Sequence, residues 1–174
     1  LSTLKVESTS GISLNAGTIF STGAQEYTGA VTLGSDTTLN GVGIVFHTTV
    51  DGSKTLTIND SGQTQFMDKV GSTAALTSLT TDTGGSTDLN GGTVTTTGSQ
   101  TYNDAVLLSA NTTLTGRDIT FKGTINSTGG QNYSLAVKDS GTTLFGGQVG
   151  SSSASDKLST LKVESTSGIS LNAG

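Results

Sequence analysis

The 174-residue chain has no proline, no cysteine and a single histidine, His47. Proline lacks the N–H that a β ladder needs and is tolerated mainly at edges and bulges. Its complete absence, where about 5% is usual, suits a fold that pairs its strands almost throughout. Without cysteine there is neither a disulfide scaffold nor a cysteine-based metal site. Charge is scarce, with 12% Asp, Glu, Lys and Arg and a net charge of −5. The lysines are dispersed and Arg117 is the lone arginine, so the basic patch that nucleic acid requires is missing. No apolar run approaches the ~20 residues of a membrane span. Glutamate occurs only as Glu7, Glu26 and Glu164, so paired glutamates for glycoside hydrolysis are lacking. No glycine-rich phosphate loop ends in Gly-Lys-Ser/Thr, and no stretch carries a helical period. The hydrophobic fraction of 31% is low for a compact globule. Thr, Ser, Gly and Asn fill the gap, which points to a thin, elongated β structure with a narrow core.

What is present is repetition. The text LSTLKVESTSGISLNAG of residues 1–17 returns letter for letter at 158–174, a period of 158 − 1 = 157 residues. Fixed-period self-similarity marks repeat architectures. A second repeat lies inside the first. Under a shift of 75, Gln25 and Tyr27 meet Gln100 and Tyr102, Ala30-Val31 meets Ala105-Val106, and Ile44 and Phe46 meet Ile119 and Phe121. After Asp51 the shift becomes 79, so that Asp60-Ser61-Gly62 meets Asp139-Ser140-Gly141 and Phe66 meets Phe145. The chain therefore divides into a first half-repeat, 1–75, a second, 76–157, and the start of the next copy, 158–174. The extra residues of the second half fall around Ser127–Gly130 and Ser151–Ser155, in Ser/Gly/Thr text expected to leave the structure at corners.

Short alternating segments rich in Thr and β-branched residues read as strands, and the Asn, Asp, Gly and Ser clusters between them read as turns. These features predict an all-β fold, a parallel β-helix or β-solenoid of tandem repeats with three to four coils in each half. The inward columns are assigned to Leu33, Leu39, Ile44, Phe46, Leu56, Ile58, Phe66 and Val70, with Leu108, Leu114, Ile119, Phe121, Leu135, Val137, Phe145 and Val149 as counterparts. Phe46 is expected in one column with Phe121, and Phe66 with Phe145. The two copies of the seventeen-residue text are expected to share a local fold, related by about 30–40 Å and a small rotation, as in a window on a continuous shaft.

The segments GTVTTTGSQTYNDAVLLSANTTLTG and DSGTTLFGGQVG resemble repeats of filamentous-haemagglutinin-like exoproteins, large secreted adhesins of Gram-negative bacteria. The resemblance implies a right-handed parallel β-helix and a role in adhesion, biofilm matrix or a surface filament outside the cell.

No catalytic, cofactor-binding or metal-ligating residue is assigned, and no cofactor is expected. His47 has Lys122 as its repeat counterpart and is read as an exposed strand residue rather than a member of a catalytic triad. Asp60 and Asp139, with Asp51, are read as turn residues, calcium being the alternative because it favours oxygen ligands. Asn15 and Asn90 stand either as inward ladders or as turn residues of positive φ. Tyr27 and Tyr102 are read as core packing, with stacking on sugar rings as the rival. The threonines are too irregularly spaced along the sequence to suggest a flat ice-binding array. A non-enzymatic shaft or adhesive fibre is therefore the expected function. A carbohydrate-binding matrix module comes second and a polysaccharide-degrading enzyme third. The expected partners are neighbouring repeats, with exopolysaccharide or host or cell-surface glycans as further candidates, without nucleic acid and without a membrane span.

Overall fold

A computed structural model describes residues 1–151 and 156–172. It is a β-solenoid of about seven coils, each coil running over three faces, and every strand pairing is parallel among the described residues. No helix occurs there, and no helix is long and apolar enough to cross a membrane. Face 1 stacks Leu4–Glu7, Gln25–Thr28, Ile44–Phe46, Gln63–Phe66, Ser86–Leu89, Ala105–Leu108 and Ile125–Ser127. Face 2 stacks Ile12–Leu14, Val31–Leu33 and Val50–Asp51. It continues through single bridges at Val70 to Thr93–Thr95, Thr112–Gly116, Leu135–Asp139 and Leu161–Ser165. Face 3 stacks Thr18–Phe20, Thr37–Gly41, Thr55–Asp60, Ser78–Thr81, Gln100–Tyr102, Ile119–Phe121, Thr142–Phe145 and Gly168–Leu171.

Pairing, not sequence spacing, sets the register. On face 2, Ile12, Val31, Val50, Val70, Val94, Leu114, Val137 and Val163 stand one above another. Their numbers differ by 19, 19, 20, 24, 20, 23 and 26, so a coil can grow by several residues without moving its strand. The corners absorb the difference. The four extra residues near Ser127–Gly130 lie in such a corner, between Ile125–Ser127 and Leu135–Asp139. There Gly129 and Gly130 take positive φ with open space around them. Of the other expected insertion only Ser151 is described, and 152–155 lie outside the described residues.

The interior is one continuous hydrophobic cluster. All the residues assigned inward are buried except Val149, which is partly buried. Rings stack along the axis. Tyr27, Phe46 and Phe66 lie 5.1 and 5.2 Å apart, centroid to centroid, as do Tyr102, Phe121 and Phe145 at 5.2 Å. The coil spacing of ~4.8 Å imposes this offset stacking.

The expectation that Phe46 and Phe121 share a column is overturned. Phe46 belongs to face 1 and Phe121 to face 3, and likewise Phe66 to face 1 and Phe145 to face 3. Eleven strand positions separate Gln25–Thr28 from Gln100–Tyr102, counting the Val70 bridge. With three positions per coil, the half-repeat spans three and two-thirds coils rather than a whole number.

Phe46 is sandwiched by two rings and fully buried, whereas Phe20 is 59% exposed. Phe46→Ala should therefore cost about 3–5 kcal/mol of stability and Phe20→Ala within about 0.5 kcal/mol, as measured by denaturant unfolding.

Candidate functional site

The recurring Asp-Ser-Gly turns form buried clamps between coils. Asp60 is 2% exposed and its carboxylate accepts four hydrogen bonds. They come from the backbone N–H of Gly43 (2.7 Å) and Ile44 (2.8 Å) in the coil before, and from Gly62 N–H and Thr64 Oγ1 (2.8 Å each). Asp139, 3% exposed, accepts from the equivalent donors: Asp118 N–H (2.8 Å), Ile119 N–H (2.9 Å), Gly141 N–H (2.7 Å) and Thr143 Oγ1 (2.8 Å). Burial alone would raise the pKa of Asp139, but the bonds from Ile119, Gly141, Thr143 and Asp118 outweigh it and hold the pKa below the ordinary aspartate value. The turn glycine is dictated by close approach: a Cβ on Gly62 would lie 2.7 Å from Gly43 N, and one on Gly141 2.7 Å from Asp118 N. Asp118 itself takes φ +58° where the first half has Gly43 at +80°. Asp51 makes a related contact, accepting from Thr73 and Ala74 N–H of the next coil at 2.7 and 3.1 Å. These carboxylates bind backbone, and among the described residues no group of acidic or histidine side chains is arranged to hold a metal ion.

The Gln-x-Tyr pairs make a second recurring network. Tyr27 donates its hydroxyl to Gln25 Oε1 at 2.7 Å, and the Gln25 amide donates to Ser21 Oγ (3.1 Å) and Asn40 O (2.8 Å). Tyr102, Gln100, Thr96 and Thr115 O repeat the arrangement at 2.9, 3.2 and 2.9 Å. Both tyrosines are fully buried, which raises their pKa. They form no sugar platform.

His47 is exposed, as expected, but follows the strand Ile44–Phe46 rather than lying in it, and its counterpart Lys122 is also exposed. Asn15 and Asn90 meet neither expectation. Asn15 is exposed and Asn90 half-buried, neither has positive φ, and Asn90 donates instead to Met67 Sδ and Asp88. The duplicated text places its Lys and Glu side by side each time: Lys5–Glu7 at 2.9 Å and Lys162–Glu164 at 2.7 Å, both exposed.

Sequence reasoning passed over Asp88 and Asp104. Asp104 accepts from Thr81 Oγ1 (2.6 Å) and Thr87 Oγ1 (2.8 Å), and Asp88 from Ser109 Oγ (2.7 Å). Burial raises the pKa of both. Their first-half counterparts are Ser13 and Gly29, so the internal repeat carries no signal for either.

The irregular spacing of the threonines hides a regular outward column on face 3. Thr18, Thr38, Thr57, Thr80, Thr101 and Thr120 pair in succession, one per coil. Two residues on stand Phe20, Asn40, Asn59, Asp82, Asn103 and Lys122. The second threonine column of a flat ice-binding lattice is therefore missing, while Asn59 donates to Asn40 at 2.9 Å. No family model, curated protein or solved structure matches this chain.

Asp139→Asn is expected to lose on the order of 3 kcal/mol at neutral pH, because a charge-assisted acceptor of buried backbone N–H groups is removed. The native pKa is depressed, so the clamp contributes fully above the unfolded aspartate value, near 4, and is lost as pH falls through the native one. The gap between variant and parent should thus narrow below about pH 4, in denaturant titrations at neutral and acid pH.

Proposed function

We propose that this chain is a segment of a structural, adhesive shaft that works mechanically and outside the cell rather than as an enzyme. The observation that carries the reading is the use of the recurring polar side chains. Asp60, Asp139, Gln25 and Gln100 are spent on hydrogen bonds that join one coil to the next, and Tyr27 and Tyr102 on holding those glutamines. Selection for coil-to-coil cohesion, repeated in tandem, suits a part that bears load and is lengthened by adding copies. Stability in such a stack is roughly a sum of coil and nearest-neighbour terms. The text that resembles exoprotein adhesins supports the same reading.

A second reading is supported by the threonine column of face 3. A row of hydroxyls repeated at the coil spacing, flanked at three of its six positions by the amides of Asn40, Asn59 and Asn103, offers hydrogen-bonding groups to an extended polysaccharide lying along the axis.

Negative-stain images of the native protein should show thin rods whose length scales with the number of repeats; compact particles would sink the shaft reading. On a glycan array, retention of an extended polysaccharide, about tenfold weaker in a Thr57→Val, Thr80→Val variant, would support the second reading. Binding that the double variant leaves untouched would rule out the threonine column.

A further inference from the structure

We infer that the 157-residue repeat carries a built-in phase: each copy is turned by one third of a coil relative to the copy before it. Any surface borne by the repeat is then shown in turn on all three sides of the shaft. The inference rests on the shaft reading above for its biological sense, but the phase itself stands on strand pairing.

The duplicated text records the turn. In its first appearance LKVE forms Leu4–Glu7 on face 1, paired with Gln25–Thr28. In its second it lies in Leu161–Ser165 on face 2, paired with Leu135–Asp139. Ile-Ser-Leu moves in step, from Ile12–Leu14 on face 2 to Gly168–Leu171 on face 3. Twenty-two strand positions separate the two copies, counting the bridges of Val70 and Val149. Three positions make a coil, so one repeat is seven and one-third coils. The rotation expected to be small is therefore a third of a turn, besides the ordinary twist of the sheets. Three repeats make 22 whole coils, and the phase closes after about 105 Å at ~4.8 Å per coil.

The core permits this because it carries its ring with the text. Tyr27, Phe46 and Phe66 project from face 1, and Tyr102, Phe121 and Phe145 from face 3. Each of these coils holds one ring, whichever face supplies it, so the filled cross-section is preserved as the pattern rotates.

The surface turns with it. The exposed Lys5–Glu7 pair and the shallow groove that Glu7 and Thr9 line sit at the corner between faces 1 and 2. The Lys162–Glu164 pair and the groove lined by Glu164 and Thr166 sit at the corner between faces 2 and 3. A whole number of coils would have put every copy of that surface on one side, fit for zipping shafts into a flat ribbon. One third of a turn per copy fits partners that lie on every side, as in a three-dimensional mesh.

The absence of native cysteine makes the phase testable by engineered disulfides in the whole chain. Neighbouring parallel strands hold opposed Cα atoms at ~4.8 Å, within disulfide range. Ala136 and Lys162 are opposed on face 2, and Leu144 and Ser170 on face 3. Were a repeat seven whole coils, Lys162 would instead stand over Asn126, six coils above Lys5, and Ser170 over Lys138. Mild oxidation should link A136C/K162C and L144C/S170C, seen as a mobility shift and the mass loss of two hydrogen atoms. It should leave N126C/K162C and K138C/S170C as free thiols. Linkage of the latter pairs, or of none of the four in chains that keep the parent's circular dichroism, overturns the phase. Rods formed by a chain with the wrong links sink the phase alone. The right links in a chain that forms compact particles sink the shaft reading alone.

Discussion

Everything in this molecule depends on the parallel hydrogen-bond ladder between one coil and the next. Strand amides reach the coil beside them, as Ile12 N–H does to Ala30 O and Val31 N–H to Thr49 O, each at 2.8 Å. Corner amides do the same, as Gly34 N–H to Leu14 O at 2.9 Å and Met67 N–H to Phe46 O at 2.9 Å. A ladder of this kind leaves buried backbone groups paired and forces identical positions on neighbouring coils into vertical contact. The lack of proline follows from it, and so do the aliphatic column of face 2 and the ring stacks.

Polar residues inside such a stack must be matched in the same vertical sense. Asp60 and Asp139 each take two backbone donors from the preceding coil, which ties adjacent corners together with charge-assisted bonds. The buried Gln-Tyr pairs close the remaining polar groups beside the rings. Because a buried polar atom without a partner is costly, these networks also select against any pairing that breaks their alignment. They hold register where the apolar columns alone would tolerate sliding.

Part of this was legible in the text. The inward residues followed from alternation, and the recurrence of Asp-Ser-Gly and Gln-x-Tyr across the half-repeats marked positions with a shared role. Their role was not legible, because two of the four donors to Asp60 lie 16 and 17 residues earlier, in another coil. Asp88 and Asp104 gave no signal, since the first half has no acidic residue at the matching sites. The threonine column of face 3 was concealed by steps of 20, 19, 23, 21 and 19 residues, which look irregular only until pairing aligns them.

The sequence by itself determined the strands, the inward residues, the tandem period and the length of the repeat. These depend on local alternation and on self-similarity, both of which are properties of text. The tertiary structure alone decided which face each strand occupies, and hence the third of a turn between copies. Corners stretch a coil from 19 to 26 residues without shifting its strands, so a count of residues does not convert into an angle. Strand pairing fixes the angle, and a position as short as the single bridge at Val70 counts as fully as a six-residue strand.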